Sequence, residues 1–399
     1  MECSFPWEVT IDFMRFSKVS IPACIISGLL VIVIIIAVAA PFYTPFFIGQ
    51  PVDVTEGPPL ERSFAKETLL KGESFWLDNN LLLGTQRFGG NSFITMSLSG
   101  KTLNEQSDFQ IKDQYVTCVF ESEWSNGYFL VTREYTSDFA LPINEEDGTV
   151  LYSLFYADAA TSTIKCFEQI SSKRTPCIFG ASCGDLLVSW RSREEDYYLS
   201  RFDPLTLSLL DCRKADYNYS DAVPIGDDQF LCRGTRSSTK NRSAVDCIVW
   251  LDANGAPLDC YDCLSRGFVN EICVADDKAF VLLNNRFGRG SQLMTIGLLL
   301  EEQSFSEARF YAMPTFTNNI TYSGLCWDDT NGLRVQFSDI FSGYIGTLQF
   351  VENGKDLEVV VRRKYLDESI RLFPSAILET DLGTLFVFDN LRGEFVFYQ

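Results

Sequence analysis

Seven times after residue 70 the chain passes from a polar or glycine-containing turn into a short run of four or five mostly apolar residues. Asn79-Asn80 leads into LLLG, Asn126-Gly127 into YFLV, Gly184-Asp185 into LLVS and Asp227-Asp228 into QFLC. Asp277-Lys278 leads into AFVL, Asn331-Gly332 into LRVQ, and Leu382-Gly383 into TLFVF. The residues just before these runs (80, 127, 185, 228, 278, 332 and 384) lie 43 to 58 residues apart. A repeat of that period with hairpin grammar holds four short strands per unit, and each unit must bury its apolar residues against its neighbours.

Each unit reads as strand a, the turn, strand b, a polar loop, strand c, a short turn and strand d. The third runs TPCIFGAS, GDLLVSW, DYYLSRF, a turn at Asp203-Pro204, and LSLLDC. The fourth carries its c–d turn at Asn254-Gly255, a strong hairpin signal. The seventh has SAILE, TLFVFD and EFVFYQ but no strand d, whereas RSFAKETLL at 62–70 precedes the first strand a with no partner of its own. The expectation is that this segment completes the seventh sheet, leaving no open edge in the ring. The pattern resembles the broad class of seven-bladed β-propellers, and FDPLTLSLLD and LDANGAPLD resemble the turns of quinoprotein-type repeats. The resemblance implies an all-β fold over residues 61–399 and carries no family's active site. Six or eight blades remain open, because the second unit is long.

Composition narrows the chemistry. The net charge of −20 argues against a nucleic-acid partner, whose phosphates require clustered Lys and Arg. Histidine is absent, so Ser-His and Cys-His nucleophile systems and His-ligated metals are ruled out. No cofactor is indicated, and no loop has the D-x-D-x-D spacing of a calcium site.

No charge occurs from Val19 to Val52, and Pro22 to Ala40 reads PACIISGLLVIVIIIAVAA. That is long enough to span a bilayer as a helix. A cleaved signal peptide is the alternative, with Ala37-Val38-Ala39 as its site. Arg15 and Lys18 flank the N-terminal side. The reading is therefore a single-pass plasma-membrane protein, with a cytoplasmic tail at 1–18, a transmembrane helix at 19–40, a proline-rich stalk at 41–60 and the propeller outside.

Sorting charges by turn type separates the two ends of such a ring. The a–b and c–d turns hold Asp185, Asp227, Asp228, Asp277, Asp158, Asp203 and Asp252 among others. The b–c segments hold Arg87, Arg191, Arg193, Arg233, Arg236, Arg242, Arg286 and Arg289, and two of them nearly repeat as RFGGNS (87–92) and RFGRGS (286–291). Planar guanidinium forks suit carboxylate, sulfate or phosphate, so these arginines are the expected ligand-binding residues. The alternative is that they pair with nearby acids such as Glu194 and Glu195. A ligand face of this kind points to non-catalytic binding of a protein or an anionic surface polymer.

Two other functions remain open: a carboxylate-based glycoside hydrolase or lyase working in the central channel, and a structural subunit of an envelope complex. The hydrolase would draw on Glu73, Glu121, Glu123, Asp221, Glu271 or Glu379, on or beside the inner strands. Eleven of the 13 cysteines fall after the anchor, where disulfides are expected; Cys232 with Cys247 and Cys177 with Cys183 are candidate pairs. Cys260-x-x-Cys263 lies on an expected strand, where residues three apart face opposite ways.

Overall fold

The computed structural model describes the chain from Gly49 onward apart from short loop stretches, with side-chain surroundings mainly for residues 49–60 and 116–363. The strands follow in chain order. β1 (Asp53–Glu56) and β2 (Arg62–Glu67) precede the first full meander, β3–β6 (Gly72–Asp78, Leu81–Gln86, Ser92–Ser99, Thr102–Gln110). Next come β7–β10 (Gln114–Glu121, Gly127–Glu134, Val150–Asp158, Thr163–Ser172) and β11–β14 (Cys177–Gly180, Leu186–Arg191, Tyr197–Phe202, Leu209–Ala215). The fourth set is β15–β18 (Asn218–Ile225, Gln229–Ser237, Ala244–Asp252, Pro257–Asp262). The fifth is β19–β23 (Phe268–Ala275, Lys278–Asn284, Ser291–Leu299, Ser304–Phe305, Arg309–Ala312). The last two are β24–β27 (Ile320–Asp328, Gly332–Asp339, Tyr344–Asn353, Asp356–Tyr365) and β28–β30 (Pro374–Thr380, Gly383–Phe388, Glu394–Tyr398). Among the described residues these strands form seven sheets and no helix.

The sheets stack face to face, and this explains the repeated apolar runs. In β12, Leu186 and Val188 join a cluster with Phe129, Val131 and Leu154 of the preceding sheet. Leu187, between them, joins Phe230, Val249 and Leu251 of the following sheet. β20 divides the same way: Ala279, Val281 and Leu283 pack toward sheet four, Phe280 and Leu282 toward sheet six. A strand buried on both faces favours apolar residues at successive positions, so β12 and β20 read as continuous runs instead of alternations. Neighbouring first strands also meet, β7 with β11, β11 with β15, β15 with β19, β19 with β24, β24 with β28, and β28 with β3. Sheets radiating from adjacent first strands, with the last returning to the first, make a β-propeller.

The last sheet closes as the sequence predicts. β2 pairs antiparallel with β30, Ala65 opposite Val396, so the order is β2-β30-β29-β28. Residues 49–60, expected as a stalk, are extended and lie along the outer rim. The Gln50 amide donates to the Phe310 carbonyl at 2.7 Å, and the Ala312 amide donates to the Gln50 carbonyl at 2.9 Å. β1 then pairs in parallel with β27, Asp53 opposite Glu358 through Glu56 opposite Val361. Leu60 is buried. The transmembrane segment expected at 19–40 and the tail before it lie outside the described residues. Among the described residues no helix is long and apolar enough to cross a membrane.

Among the described residues, six of the seven first strands carry a break in register. The breaks fall at Gly72/Phe75, Val116/Cys118, Ser220/Val223, Val269/Glu271, Ser323/Cys326 and Pro374/Ala376. A bulge bends its strand and increases the local twist.

Candidate functional site

The meander sets which turns share an end of the ring. Turns between first and second and between third and fourth strands lie at one end; the remaining connections lie at the other. At the first end the repeated aspartates close their own turns. Asp158 Oδ1 accepts from the amides of Ala160 (2.8 Å) and Thr161 (3.2 Å). Asp203 Oδ1 accepts from Leu205 (2.8 Å) and Thr206 (3.0 Å), and Asp252 Oδ1 from Asn254 (2.9 Å) and Ala256 (2.7 Å). These bonds hold the Asp158 and Asp203 carboxyls below the usual range. The aspartates of the quinoprotein-like turns are therefore turn formers, which accounts for part of the acidity of that end.

At the opposite end the arginines divide. Arg87, Arg242, Arg286 and Arg289 lie outside the described residues. Arg191 closes β12, buried, its Nη2 3.2 Å from Glu195 Oε2 and its guanidinium 5.3 Å from the centre of the Tyr197 ring. Lys173 meets the same Glu195 at 3.3 Å. Arg193 is exposed in the tight turn between β12 and β13.

β16 continues to Ser237, so Arg233 and Arg236 are strand residues and not loop residues. Three positions apart, they face opposite ways. Arg233 turns toward the fifth sheet and places Nη2 2.9 Å from Oδ2 of Asp246, a carboxylate only 1% exposed. Asp246 also accepts from Thr235 Oγ1 at 3.3 Å and from the Val269 amide at 3.2 Å. Arg233 is thus a brace between sheets four and five. Arg236 turns toward the third sheet, exposed, with its guanidinium 5.3 Å from the centre of the Tyr217 ring. A cation stacked on a ring keeps its N–H edge for an anion.

Tyr217 was not singled out by sequence reasoning, which sorted charges but gave no signal for the ring beneath one of them. Its hydroxyl lies 3.5 Å from Cys260 Sγ. Cys260 and Cys263 face opposite ways, as expected: Cys260 is exposed and Cys263 is fully buried against sheet five. The expected disulfides are absent among the described cysteines. Cys232 stands opposite Val249, while Cys247 stands opposite Gly234. The register therefore offsets Cys232 from Cys247 by two residues. Cys177 hydrogen-bonds Cys118 of the neighbouring sheet, and Cys183 lies outside the described residues.

Of the channel carboxylates, Asp221 and Glu271 have described side chains. Glu271 sits at the bulge of β19, where Oε2 accepts a 2.6 Å hydrogen bond from the Leu325 amide of β24. Burial raises its carboxyl, and the nearby Asp221 charge adds to the rise. Asp221 approaches Arg233 at 4.0 Å. The bond to the Leu325 amide gives Glu271 a structural role between sheets five and six. Among the described residues no three His, Cys, Asp or Glu side chains cluster as metal ligands.

The sequence matches no family model and no curated protein. The fold is similar to several solved structures. The C-terminal WD40 domain of Sif2 aligns with a TM-score of 0.48 at 10% identity, over 86% of this chain and 99% of that one. The β-propeller domain of the Trilobed protease from Pyrococcus furiosus aligns at 0.48 and 9%, over 85% and 95%. The uncharacterized protein lmo1340 from Listeria monocytogenes EGD-e aligns at 0.44 and 11%, over 85% and 91%.

Proposed function

We propose that this chain is a seven-bladed propeller acting as a non-catalytic binding module for an anionic partner, a protein or a surface polymer, through the end that carries Arg236. The observation carrying the reading is Arg236 itself, exposed and laid over Tyr217 at the base of the segment that also holds Lys240 and Arg242. At the other end Asp158, Asp203 and Asp252 are occupied in their own turns and Asp185 pairs with Arg201 at 2.9 Å. Arg193 belongs to the same surface, whereas Arg191 and Arg233 support it from below through Glu195 and Asp246.

The uncharged run from Val19 to Val52, with Arg15 and Lys18 before it, supports a single membrane anchor with the propeller outside.

The test is thermal unfolding of the protein against anionic and neutral glycans and against acidic and neutral peptides. A stabilising shift confined to anionic ligands, weakened by salt and lost in Arg236→Ala, supports the reading. A shift with neutral sugars that survives Arg236→Ala overturns it in favour of the channel carboxylates.

A further inference from the structure

Three cysteines cross one face of the fourth sheet. Cys232 of β16, Cys247 of β17 and Cys260 of β18 all lie on the side toward sheet three, because Cys232 opposes Val249, Cys247 opposes Gly234 and Cys260 opposes Val249 from the other side. Cys247 opposes Asp262, two residues beyond Cys260, so Cys247 and Cys260 are diagonal neighbours on that face. Gly234 makes the arrangement possible: a Cβ there would stand 2.9 Å from Cys247 Sγ. The Cys247 thiol donates to the Gly234 carbonyl at 3.2 Å, and its sulfur lies near enough to Cys260 for each thiol to shift the other. Cys247 is buried and Cys260 exposed, so one thiol meets solvent and the other waits behind it.

The surroundings distinguish Cys260 from the other thiols. The Tyr217 hydroxyl lies 3.5 Å from its sulfur, and the Arg236 guanidinium stands over the same ring, 5.3 Å from its centre. Interaction with Cys247 and Tyr217, together with the Arg236 charge, outweighs burial and the opposing charge of Asp262, and brings the Cys260 thiol down to about 7. Burial and neighbouring groups push Cys232, Cys247 and Cys263 the other way. A thiolate is the nucleophile in exchange, and the best attacking thiol titrates near ambient pH.

We propose that Cys260 and Cys247 form a site for thiol–disulfide exchange, with Cys260 the attacking thiol and Cys247 the resolving one. The reactant is a low-molecular-weight disulfide. The Cys260 thiolate attacks one of its sulfurs, that S–S bond breaks, one thiolate leaves, and a mixed disulfide forms on Cys260. Cys247 then loses its proton to the departed thiolate and attacks the Cys260 sulfur. The second small thiolate leaves and takes a proton from solvent. The two protein sulfurs are oxidised to one disulfide and the small disulfide is reduced to two thiols. Cys263 takes no part despite its CxxC spacing, because it faces sheet five. This inference stands independently of the binding reading, since it uses the sulfurs and not a partner.

The experiment treats the reduced full-length chain with oxidised glutathione, then traps remaining thiols and maps bonds by mass spectrometry of unreduced peptides. The expected product joins Cys247 to Cys260. In Cys247→Ser, glutathione should remain on Cys260 as a lasting mixed disulfide, and in Cys260→Ser no adduct should form at position 247. A Cys260–Cys263 bond, an unresolved adduct on wild-type Cys260, or an unmodified Cys260 overturns the proposal. Because the wild-type map needs no variant, a folding defect in either serine form leaves the test intact.

Discussion

Glu271 reaches from the bulge of β19 to the amide of Leu325 on β24, an acceptor from one sheet serving a donor of the next at 2.6 Å. Removing it by Glu271→Ala leaves that partly buried amide unpaired and should cost about 1–3 kcal/mol of stability. The pH dependence has a definite sign. Burial raises the folded carboxyl above its unfolded value, so the folded state holds more protons between the two. Its contribution is therefore full below the unfolded value and is lost as pH rises through the folded one. Thermal melts from pH 4 to 7.5 should show wild type losing stability relative to Glu271→Gln as pH rises. A gap that stays constant with pH would refute this account.

Arg233 and Asp246 should behave as a structural pair. Removing one partner leaves the other charge poorly compensated, at up to about 3–5 kcal/mol for a fully buried pair. The Arg233 side chain is 29% exposed and that of Asp246 is 1% exposed, so Arg233→Ala, which strands the buried carboxylate, should cost more than Asp246→Asn, which leaves an arginine that water can reach. Denaturant unfolding of the two single variants and the double variant measures the coupling. Full additivity would mean the pair does not hold sheets four and five together.

Arg236→Ala should do the reverse, leaving the stability of the unliganded protein within about 0.5 kcal/mol of wild type while weakening an anionic ligand about tenfold, or about 1.4 kcal/mol. Titration calorimetry at two salt concentrations separates a lost ion contact from a lost shape. Equal affinity in both proteins removes Arg236 from the site.

Carbamidomethylation reports the Cys260 environment directly. Its rate with iodoacetamide should rise with a midpoint near pH 7, where the thiol titrates at about 7, instead of near 9. Tyr217→Phe removes a donor to the thiolate and should move the midpoint upward. An unchanged midpoint would mean that the 3.5 Å contact does not stabilise the charged sulfur.

Closure of the last sheet by β2 predicts a sharp boundary for truncation. A chain starting at residue 48 retains β1 and β2; one starting at residue 69 leaves the edge of β30 open. The first should unfold in one cooperative transition and the second should aggregate through its exposed edge. Equal solubility and melting would contradict the role assigned to residues 62–67.

The ring was legible in sequence because it rests on features that repeat: unbroken apolar runs on strands buried from both sides, and turn aspartates that cap themselves. The closing pairing was legible because one strand was missing at one end and one was spare at the other. The site was less legible. Charge sorting grouped Arg236 with Arg233, but the side each one faces depends on how far β16 runs, and its extension to Ser237 is set by pairing with β17. The thiol pair was hidden for a related reason. Proximity along the chain suggested Cys263, whereas the register of β17 against β18 brings in Cys247 from thirteen positions away.

The parallel pairing of β1 with β27 also has a mechanical consequence. Tension applied at residue 49 would pull along the axis of β1, loading its ladder to residues 358–361 in shear, all bonds at once, before any of it reached the closing strand. A pull transmitted to β2 without that segment would instead fall first on the pairing that seals the ring. The rim segment thus places a sacrificial grip ahead of the seal, and the propeller can take strain from its N-terminal side while the last sheet stays shut.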